Sequence, residues 1–177
     1  MNKEELFIEL TDGEWVLDYI DHDRRIARAI VFDDQGSLYF VRVERDDNFG
    51  RATLIETAGG GVEEGEDPDT AILRELSEEL GAEAETVSKI GIVSDYYNLI
   101  HRHNINHYYL CRIRSFGERH LTKEEAAQFH LSTLRLSYRE AVEEYRRCAC
   151  TPLGRLIAAR ELPILAHAGK IMKEIEG

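Results

Sequence analysis

The chain has 177 residues, of which 43% are hydrophobic and 32% charged, a composition that fits one soluble globular domain with a substantial core. Its formal net charge of −12, from 34 acidic against 22 basic residues, disfavours binding to the backbone of duplex nucleic acid. Its apolar stretches are too short to cross a membrane, and its N-terminus lacks the features of a secretory signal. A small nucleotide remains compatible with this charge if a divalent cation is bound with it.

The cysteines Cys111, Cys148 and Cys150 are odd in number and show neither a disulfide framework nor zinc-site spacing. We interpret them as small buried residues of a cytoplasmic protein. The sequence contains no internal repeat, low-complexity tract or linker. It therefore predicts a single domain over residues 1–177, with about 25 N-terminal residues and the C-terminal helices (about 152–177) as extensions.

The first predicted elements form a β-hairpin. Ile26–Phe32 and Ser37–Val43 are rich in apolar residues, and the sequence Asp-Asp-Gln-Gly between them is a turn signal. Three segments then follow in chain order: a polar loop at Arg45–Gly50, a short strand at Thr53–Thr57 and a glycine-rich acidic loop at Ala58–Asp67.

A helix is predicted from Pro68 to Leu80. Asp67 or Asp69 is suited to cap its start, and Pro68 fits its first turn. Gly81 is well placed to end it, because glycine readily adopts the left-handed conformation of a helix C-cap.

The second half of the chain mixes strands and helices without a regular βαβ repeat, which predicts an α/β protein with a mixed sheet between helices. Ser137 and Glu140 form a capping-box pattern at the start of one helix. The predicted elements are strands at Val87–Ser94, Ile105–Arg114 and Ser132–Leu136, then helices from Ser137 to about Arg147, from Thr151 onward and over Leu162–Ile175.

Three carboxylates share one side of the helix predicted at Pro68–Leu80. At 100° per residue, Glu75, Glu78 and Glu79 fall within an arc of about 100°. Such carboxylates repel one another, unless they jointly hold a hard divalent cation that prefers oxygen ligands. A solvated acidic face is the alternative, and the helix alone does not decide between the two. A separate apolar side is expected to face the core: Ile72, Leu73, Leu76 and Leu80.

The residues around this helix complete a longer motif, the Nudix box. Its defined positions are filled in order by Gly60, Glu66, Arg74-Glu75-Leu76, Glu78-Glu79, Gly81 and the small Ala82. The chain therefore resembles the Nudix hydrolase family over residues 60–82, and beyond them in its strand order. It departs from many relatives at Ala58, where they have proline, and we expect a slightly looser loop with unchanged ligands.

The resemblance implies an α/β/α sandwich with a mixed β-sheet and a catalytic Mg²⁺ or Mn²⁺ ion. It also implies hydrolysis of the diphosphate bond in a nucleoside diphosphate linked to another moiety: a dinucleoside polyphosphate, a nucleotide sugar such as ADP-ribose, or a nucleoside triphosphate. The alternative is a Nudix-fold module that binds or senses a nucleotide without hydrolysing it. Such a module would be free to lose a glutamate of the box, and this chain has kept all of them.

The resemblance also assigns roles to residues of the box. By position, Glu75, Glu78 and Glu79 are catalytic metal ligands, and the backbone carbonyl of Gly60 is a further ligand. Glu66 and Arg74 are expected to pair, so that the loop is held against the helix. Glycines let the backbone approach phosphates closely, while a helix fixes the position of the cation.

Members of the family often recruit another carboxylate from a later loop as a base or ligand. Glu124 and Glu125 are the candidates here, with Glu125 favoured and Glu118 in reserve. Thr122 and Glu125 also fit a capping box, which would give Glu125 a purely structural role.

Four residues outside the box are candidate substrate contacts. Arg28 and Arg45 are placed to meet phosphate, although either fits a solvated arginine equally well. Tyr96 and Tyr97 follow the box at a distance that slightly favours dinucleoside polyphosphates, since an aromatic ring can stack on a second base. Either tyrosine also fits the core or the rim of the sheet. The sequence leaves open whether the protein forms a homodimer.

Overall fold

The computed structural model describes residues 4–117 and 130–177. In chain order its elements are β1 Leu6–Glu9, β2 His22–Phe32, β3 Leu38–Asp47, β4 Gly50–Glu56, β5 Ala58–Gly61, α1 Pro68–Leu80, β6 Ala82–Tyr97, β7 Arg102–Phe116, β8 His130–Leu136, α2 Tyr138–Cys148 and α3 Pro152–Glu176. None of the helices described combines the length and apolar character that a membrane span requires.

The strands form a mixed sheet in the order β1-β6-β7-β2-β3-β4, with β5 paired to β2 and β8 paired to β3. Strand β2 lies parallel to β7 on one edge. On its other edge it is antiparallel first to β5, over Ile26–Ala29, and then to β3, at Val31 and Phe32. The predicted mixed sheet and the predicted hairpin of β2 and β3 are therefore present.

Alternate residues of β2 point into two different cores, as the two-residue period of a strand requires. Ile30 belongs to the same buried cluster as Tyr145 and the apolar residues of α3. Val31 belongs to a second cluster, with Leu76 and other buried residues of α1. Helices thus cover both faces of the sheet, and the expected α/β/α sandwich is confirmed.

Helix α1 begins and ends where the sequence predicts. The side chain of Asp67 accepts a hydrogen bond from the backbone N–H of Thr70 at 2.8 Å, and Gly81 ends the helix with φ of 62°. The prediction that Leu73 packs in the core is wrong, because this residue is 40% exposed. Leu73 lies at the far margin of the apolar arc, so that its side chain turns away from the sheet.

The polar segment Arg45–Gly50, predicted as a loop, instead forms the tip of a β-hairpin. Strand β3 continues to Asp47, which pairs with Gly50 at the start of β4. The Asp47 carboxylate accepts hydrogen bonds from the Arg45 Nε, at 2.9 Å, and from the backbone N–H of Phe49, at 3.0 Å. The polar residues therefore build a tight turn rather than an irregular loop.

The start of the glycine-rich segment is also a strand rather than a loop. Residues 58–61 form β5, which pairs with β2 in register from Ala29↔Ala58 to Ile26↔Gly61. Glycine favours strands only weakly, so this pairing depends on the neighbouring strand β2 and not on local propensity.

The C-terminal helix is longer than predicted. Helix α3 runs without interruption from Pro152 to Glu176, including Pro163, where the sequence predicts two segments. Pro163 lies on the exposed side, where a backbone carbonyl left without its partner remains accessible to water. Strands β6 and β7 likewise extend beyond their predicted bounds, because they pair with each other along most of their length.

The junction between α2 and α3 gives a test of this packing. A Cβ added at Gly154 would overlap the carbonyl oxygen of Cys148, whereas one added at Gly169 would meet the ring of Tyr138 at 2.9 Å. That ring is 42% exposed and has room to turn. We expect Gly154→Ala to lower the free energy of unfolding by about 1–3 kcal/mol. Gly169→Ala should leave it unchanged or raise it, because alanine favours a helix over glycine by about 1 kcal/mol.

Chemical denaturation of the two variants and the wild type measures both effects. Equal losses at the two glycines would contradict the described packing of α3 against the end of α2.

Candidate active site

A cavity of about 470 Å³ lies between α1, β5 and one face of the sheet. Its lining is strongly charged, with both signs present. The acidic residues are Glu56, Glu63, Glu75, Glu78 and Glu79, and the basic residues are Arg24, Arg28, Arg45, Arg74 and Arg102. A cavity lined by charges of both signs is suited to a ligand that carries phosphates and a cation together.

Close contact between β5 and α1 positions the glutamates. A Cβ at Gly60 would lie 2.5 Å from the carboxyl carbon of Glu75, so that any larger residue at this position would displace the Glu75 carboxylate. Glu75 is correspondingly buried, with 7% of its surface exposed. The backbone N–H of Gly59 donates a hydrogen bond to the Glu79 carboxylate at 3.0 Å. The helix carboxylates therefore face the glycine backbone of β5 directly.

The guanidinium of Arg74 connects the loop, the helix and two of the glutamates. Its Nε and Nη2 donate to the two oxygens of Glu66, each at 2.9 Å. Its Nη1 donates to Glu75 at 2.8 Å and to Glu78 at 3.2 Å, and Nη2 also reaches the carbonyl of Gly61 at 3.1 Å. The hydrogen bonds from Arg74 lower the pKa of Glu66 to about 2, and the same pair raises the pKa of Arg74.

The oxygen donors of this site fit a hard divalent cation, but they are engaged with the protein itself. Among the residues described, no three acidic, histidine or cysteine side chains are arranged to hold a metal ion as they stand. Glu75 and Glu78 are bonded to Arg74, and Glu79 is bonded to Gly59. Carboxylates facing a bare backbone are the donors that Mg²⁺ prefers. A cation would therefore compete with Arg74 for these carboxylates.

The candidate substrate contacts differ in where they lie. Arg28, Arg45 and Tyr97 line the cavity. Tyr96 does not: consecutive strand residues face opposite sides of the sheet, and Tyr96 stacks on His103 beside a separate cavity.

Among the polar lining residues that sequence reasoning missed are Arg24, Glu56, Thr57 and Arg102. The alternation of Arg24, Ile26 and Arg28 would have placed the two arginines on one face, had the strand been predicted to begin earlier. Arg102 carries no local signal, since only the pairing of β7 with β2 brings it here. The carboxylates Glu118, Glu124 and Glu125 lie outside the described residues and stay predictions.

A buried charged network supports the cavity from behind. The guanidinium of Arg160, which is fully buried, donates to Asp95 at 3.1 Å and to the Tyr97 hydroxyl at 2.8 Å. It also bonds the Glu161 carboxylate, which accepts from the Thr57 hydroxyl at 3.1 Å. Thr57 and Tyr97 both line the cavity, so α3 carries part of the structure beneath the site.

One of the comparisons with known proteins identifies a family. A family model described as NUDIX domain matches residues 22–148. No curated protein matches the chain.

Solved structures with the same fold share little sequence with the chain. A NUDIX hydrolase from Nitrosomonas europaea has a TM-score of 0.62 at 20% identity, with 83% of this chain and 90% of the other covered. A MutT protein from Methanosarcina mazei Go1 has a TM-score of 0.62 at 14% identity, with 89% and 99% covered. A protein described as an ADP compounds hydrolase has a TM-score of 0.59 at 17% identity, with 85% and 74% covered.

The ion pair of Glu66 with Arg74 predicts a specific dependence of stability on pH. Because Arg74 lowers the pKa of Glu66 from 4.5 to about 2, the pair contributes stability that is fully present above pH 4.5. This contribution is lost as the pH falls from 4.5 towards 2. Glu66→Gln should therefore melt below the wild type at about pH 7, and the difference should shrink by about pH 3.

Thermal melts across this pH range measure the difference. Glu64→Gln is the matched control, because Glu64 is an exposed carboxylate of the same loop. A difference between Glu66→Gln and the wild type that stays constant with pH would contradict the assigned ion pair.

Proposed function

The chain belongs to the Nudix family of hydrolases that act on pyrophosphate bonds, and from this premise we propose that it is a divalent-metal-dependent pyrophosphohydrolase of nucleoside diphosphate derivatives. The observation that carries the proposal is the cavity in which the glutamates of α1 meet the glycine backbone of β5, with arginines on the facing side. A substrate diphosphate placed there would contact both the cation-binding oxygens and the positive charges that offset its own.

Within this proposal, Glu75, Glu78 and Glu79 hold Mg²⁺ or Mn²⁺ together with the backbone carbonyl of Gly60. The bound metal would supply a more acidic water and positive charge at the phosphate oxygens. Arg74 keeps the glutamates on one side of the cavity, because it bonds two of them and the loop at the same time.

Other residues bind and orient the substrate. We assign phosphate contacts to Arg28 and Arg45 and a substrate contact to Tyr97; all three line the cavity, which supports the assignment. We retain Glu125 as the expected further carboxylate. Glu56 is a second candidate for this role, since it lines the cavity from β4.

Dinucleoside polyphosphates, nucleotide sugars such as ADP-ribose and nucleoside triphosphates are all substrates within this proposal. The net charge of −12 favours such small ligands over duplex nucleic acid. Cys111 and Cys148 are buried as predicted, whereas the prediction is wrong for Cys150, which is exposed. All three are free thiols, which fit a reducing compartment, and we extend the proposal to a cytoplasmic location.

The first test is magnesium-dependent hydrolysis of such substrates and its loss in Glu79→Gln. This substitution removes negative charge from the cation-binding side, and we expect the catalytic rate to fall by about 10²–10³-fold. Rates of nucleotide product formation from a panel of such substrates, followed by chromatography, measure the effect, with the exposed Glu64→Gln as the control. Retention of most of the wild-type rate by Glu79→Gln would contradict the mechanism.

The second test separates a metal site from a solvated acidic face. Magnesium should raise the melting temperature of the wild type, because a ligand that binds only the folded state stabilises it. Glu78→Gln should gain distinctly less. In chelator the variant should melt close to the wild type, because relief of repulsion within the three glutamates is offset by loss of the bond from Arg74.

Thermal melts of both proteins, in chelator and in excess magnesium, measure these shifts. Equal magnesium shifts in the two proteins would remove Glu78 from the metal site.

A further inference from the structure

Three arginines converge on one face of the sheet, opposite the glutamates. Arg24 and Arg28 lie on the same face of β2, since strand residues four apart point the same way. Strand β7 runs parallel to β2, with Asn104 beside Arg24, and this register places Arg102 on that face as well. All three line the active-site cavity, and we refer to them as the arginine cluster.

The protein orients this cluster without neutralising it. The Nε of Arg28 donates to the side-chain oxygen of Asn106 at 3.1 Å, and the Nε of Arg102 donates to that of Asn104 at 2.6 Å. Both asparagines are fully buried. An amide accepts the hydrogen bond of a guanidinium as a carboxylate does, but it leaves the positive charge uncompensated.

Two other arginines near the cavity are held by carboxylates instead. Arg160 forms ion pairs with Asp95 and Glu161, and Arg74 forms one with Glu66. In contrast, over residues 4–117 and 130–177 no carboxylate forms an ion pair with any member of the arginine cluster. Within the part of the chain that the structure describes, the cluster is therefore a concentration of positive charge that no carboxylate contacts as an ion pair.

The electrostatics differ among the three members of the cluster. Burial acts to lower the pKa of Arg28, but the nearby Glu161 and Glu56 contribute to a net rise. The other two members show the opposite shift. Burial, followed by the charge of Arg24, lowers the pKa of Arg102 to about 10. Burial and the charge of Arg28 also lower the pKa of Arg24. Both side chains remain protonated at neutral pH, so their mutual repulsion is present in the folded protein and would be relieved by a bound anion.

The cluster and the glutamates are neighbours across one short strand. A Cβ at Gly61 would lie 3.1 Å from the Arg24 Nη2, whereas one at Gly60 would meet the Glu75 carboxylate. Consecutive strand residues face opposite sides, so Glu75 and Arg24 lie on the two sides of β5, and both line the same cavity. A chain of linked phosphates in this cavity would therefore contact both sets of residues.

We propose that the arginine cluster is a second anion site, which binds a phosphate group beyond the diphosphate that is cleaved. Preferred substrates then carry three or more linked phosphates, as nucleoside triphosphates and dinucleoside polyphosphates do, rather than the two of ADP-ribose. This preference rests on the proposed hydrolase function. Anion binding by the cluster does not rest on it, because binding requires neither turnover nor a metal.

The anion site is tested by thermal melts in chelator with inorganic tripolyphosphate as the probe, at matched ionic strength. Tripolyphosphate should raise the melting temperature of the wild type. Arg24→Gln and Arg102→Gln should lose most of that rise. Without the probe, Arg24→Gln should melt at or above the wild type, because the substitution relieves the repulsion between Arg24 and Arg28.

Arg25→Gln is the matched control. Arg25 adjoins Arg24 in the sequence but faces the opposite side of β2, where it lines a different cavity with Asp67 and Lys89. Arg25→Gln removes the same net charge as Arg24→Gln, but from outside the arginine cluster. It should therefore keep the wild-type response to tripolyphosphate. A wild type that does not respond, or responses in Arg24→Gln and Arg102→Gln equal to that of Arg25→Gln, would overturn the anion site.

The substrate preference is tested by kcat/KM for a nucleoside triphosphate and for ADP-ribose. Loss of a charged hydrogen bond to the extra phosphate should make Arg24→Gln lower kcat/KM for the triphosphate about tenfold more than for ADP-ribose. Equal losses for both substrates would overturn the preference. Absence of hydrolysis by the wild type would instead contradict the proposed function, while the melts in chelator would still decide the anion site.

Discussion

The guanidinium of Arg74 is the constraint on which the geometry of the site depends. Three glutamates on one side of a helix repel one another, and a glycine-rich backbone beside them has few side chains to hold it in place. Arg74 addresses both difficulties, because it bonds Glu66 in the loop and Glu75 and Glu78 on the helix. Its planar group has enough donors to do this at once, which the single ammonium of a lysine would not match.

Local sequence signals were sufficient to predict helix α1, because its ends are determined by residues next to it in the sequence. The bounds of α1 follow from Asp67, Pro68 and Gly81, each of which satisfies or replaces a backbone group at a helix end. Strand β5 was missed because its pairing partner is distant in the sequence, and glycines carry no strand signal of their own. The alternation of strand residues, in contrast, is a local signal that distinguishes Tyr96 from Tyr97. Only one of two consecutive strand residues faces a given cavity.

The arginines of the site also could not be predicted from local sequence signals. Arg102 and Arg24 come together only through the register of β7 against β2, which no local pattern in either strand reveals. The ion pairs of Arg160 could not be predicted either. Adjacent charged residues in a helical sequence are usually exposed to solvent, and only the packing of α3 shows that Arg160 and Glu161 are buried. Buried ion pairs of this kind contribute little to the net stability of the fold, but removing one partner lowers the stability strongly, because it leaves the other charge buried and unpaired.

One edge of β2 pairs with two different strands, and this arrangement affects ligand binding. One edge of this strand is shared, with β5 along Ile26–Ala29 and β3 along Val31 and Phe32, and the cavity opens beside the point of divergence. The residues that line it from β2, β3 and β5 are therefore fixed by ladders of backbone hydrogen bonds. When a ligand binds in this cavity, the backbone of these strands loses little conformational entropy, because it is already ordered. More of the interaction energy is therefore retained as affinity.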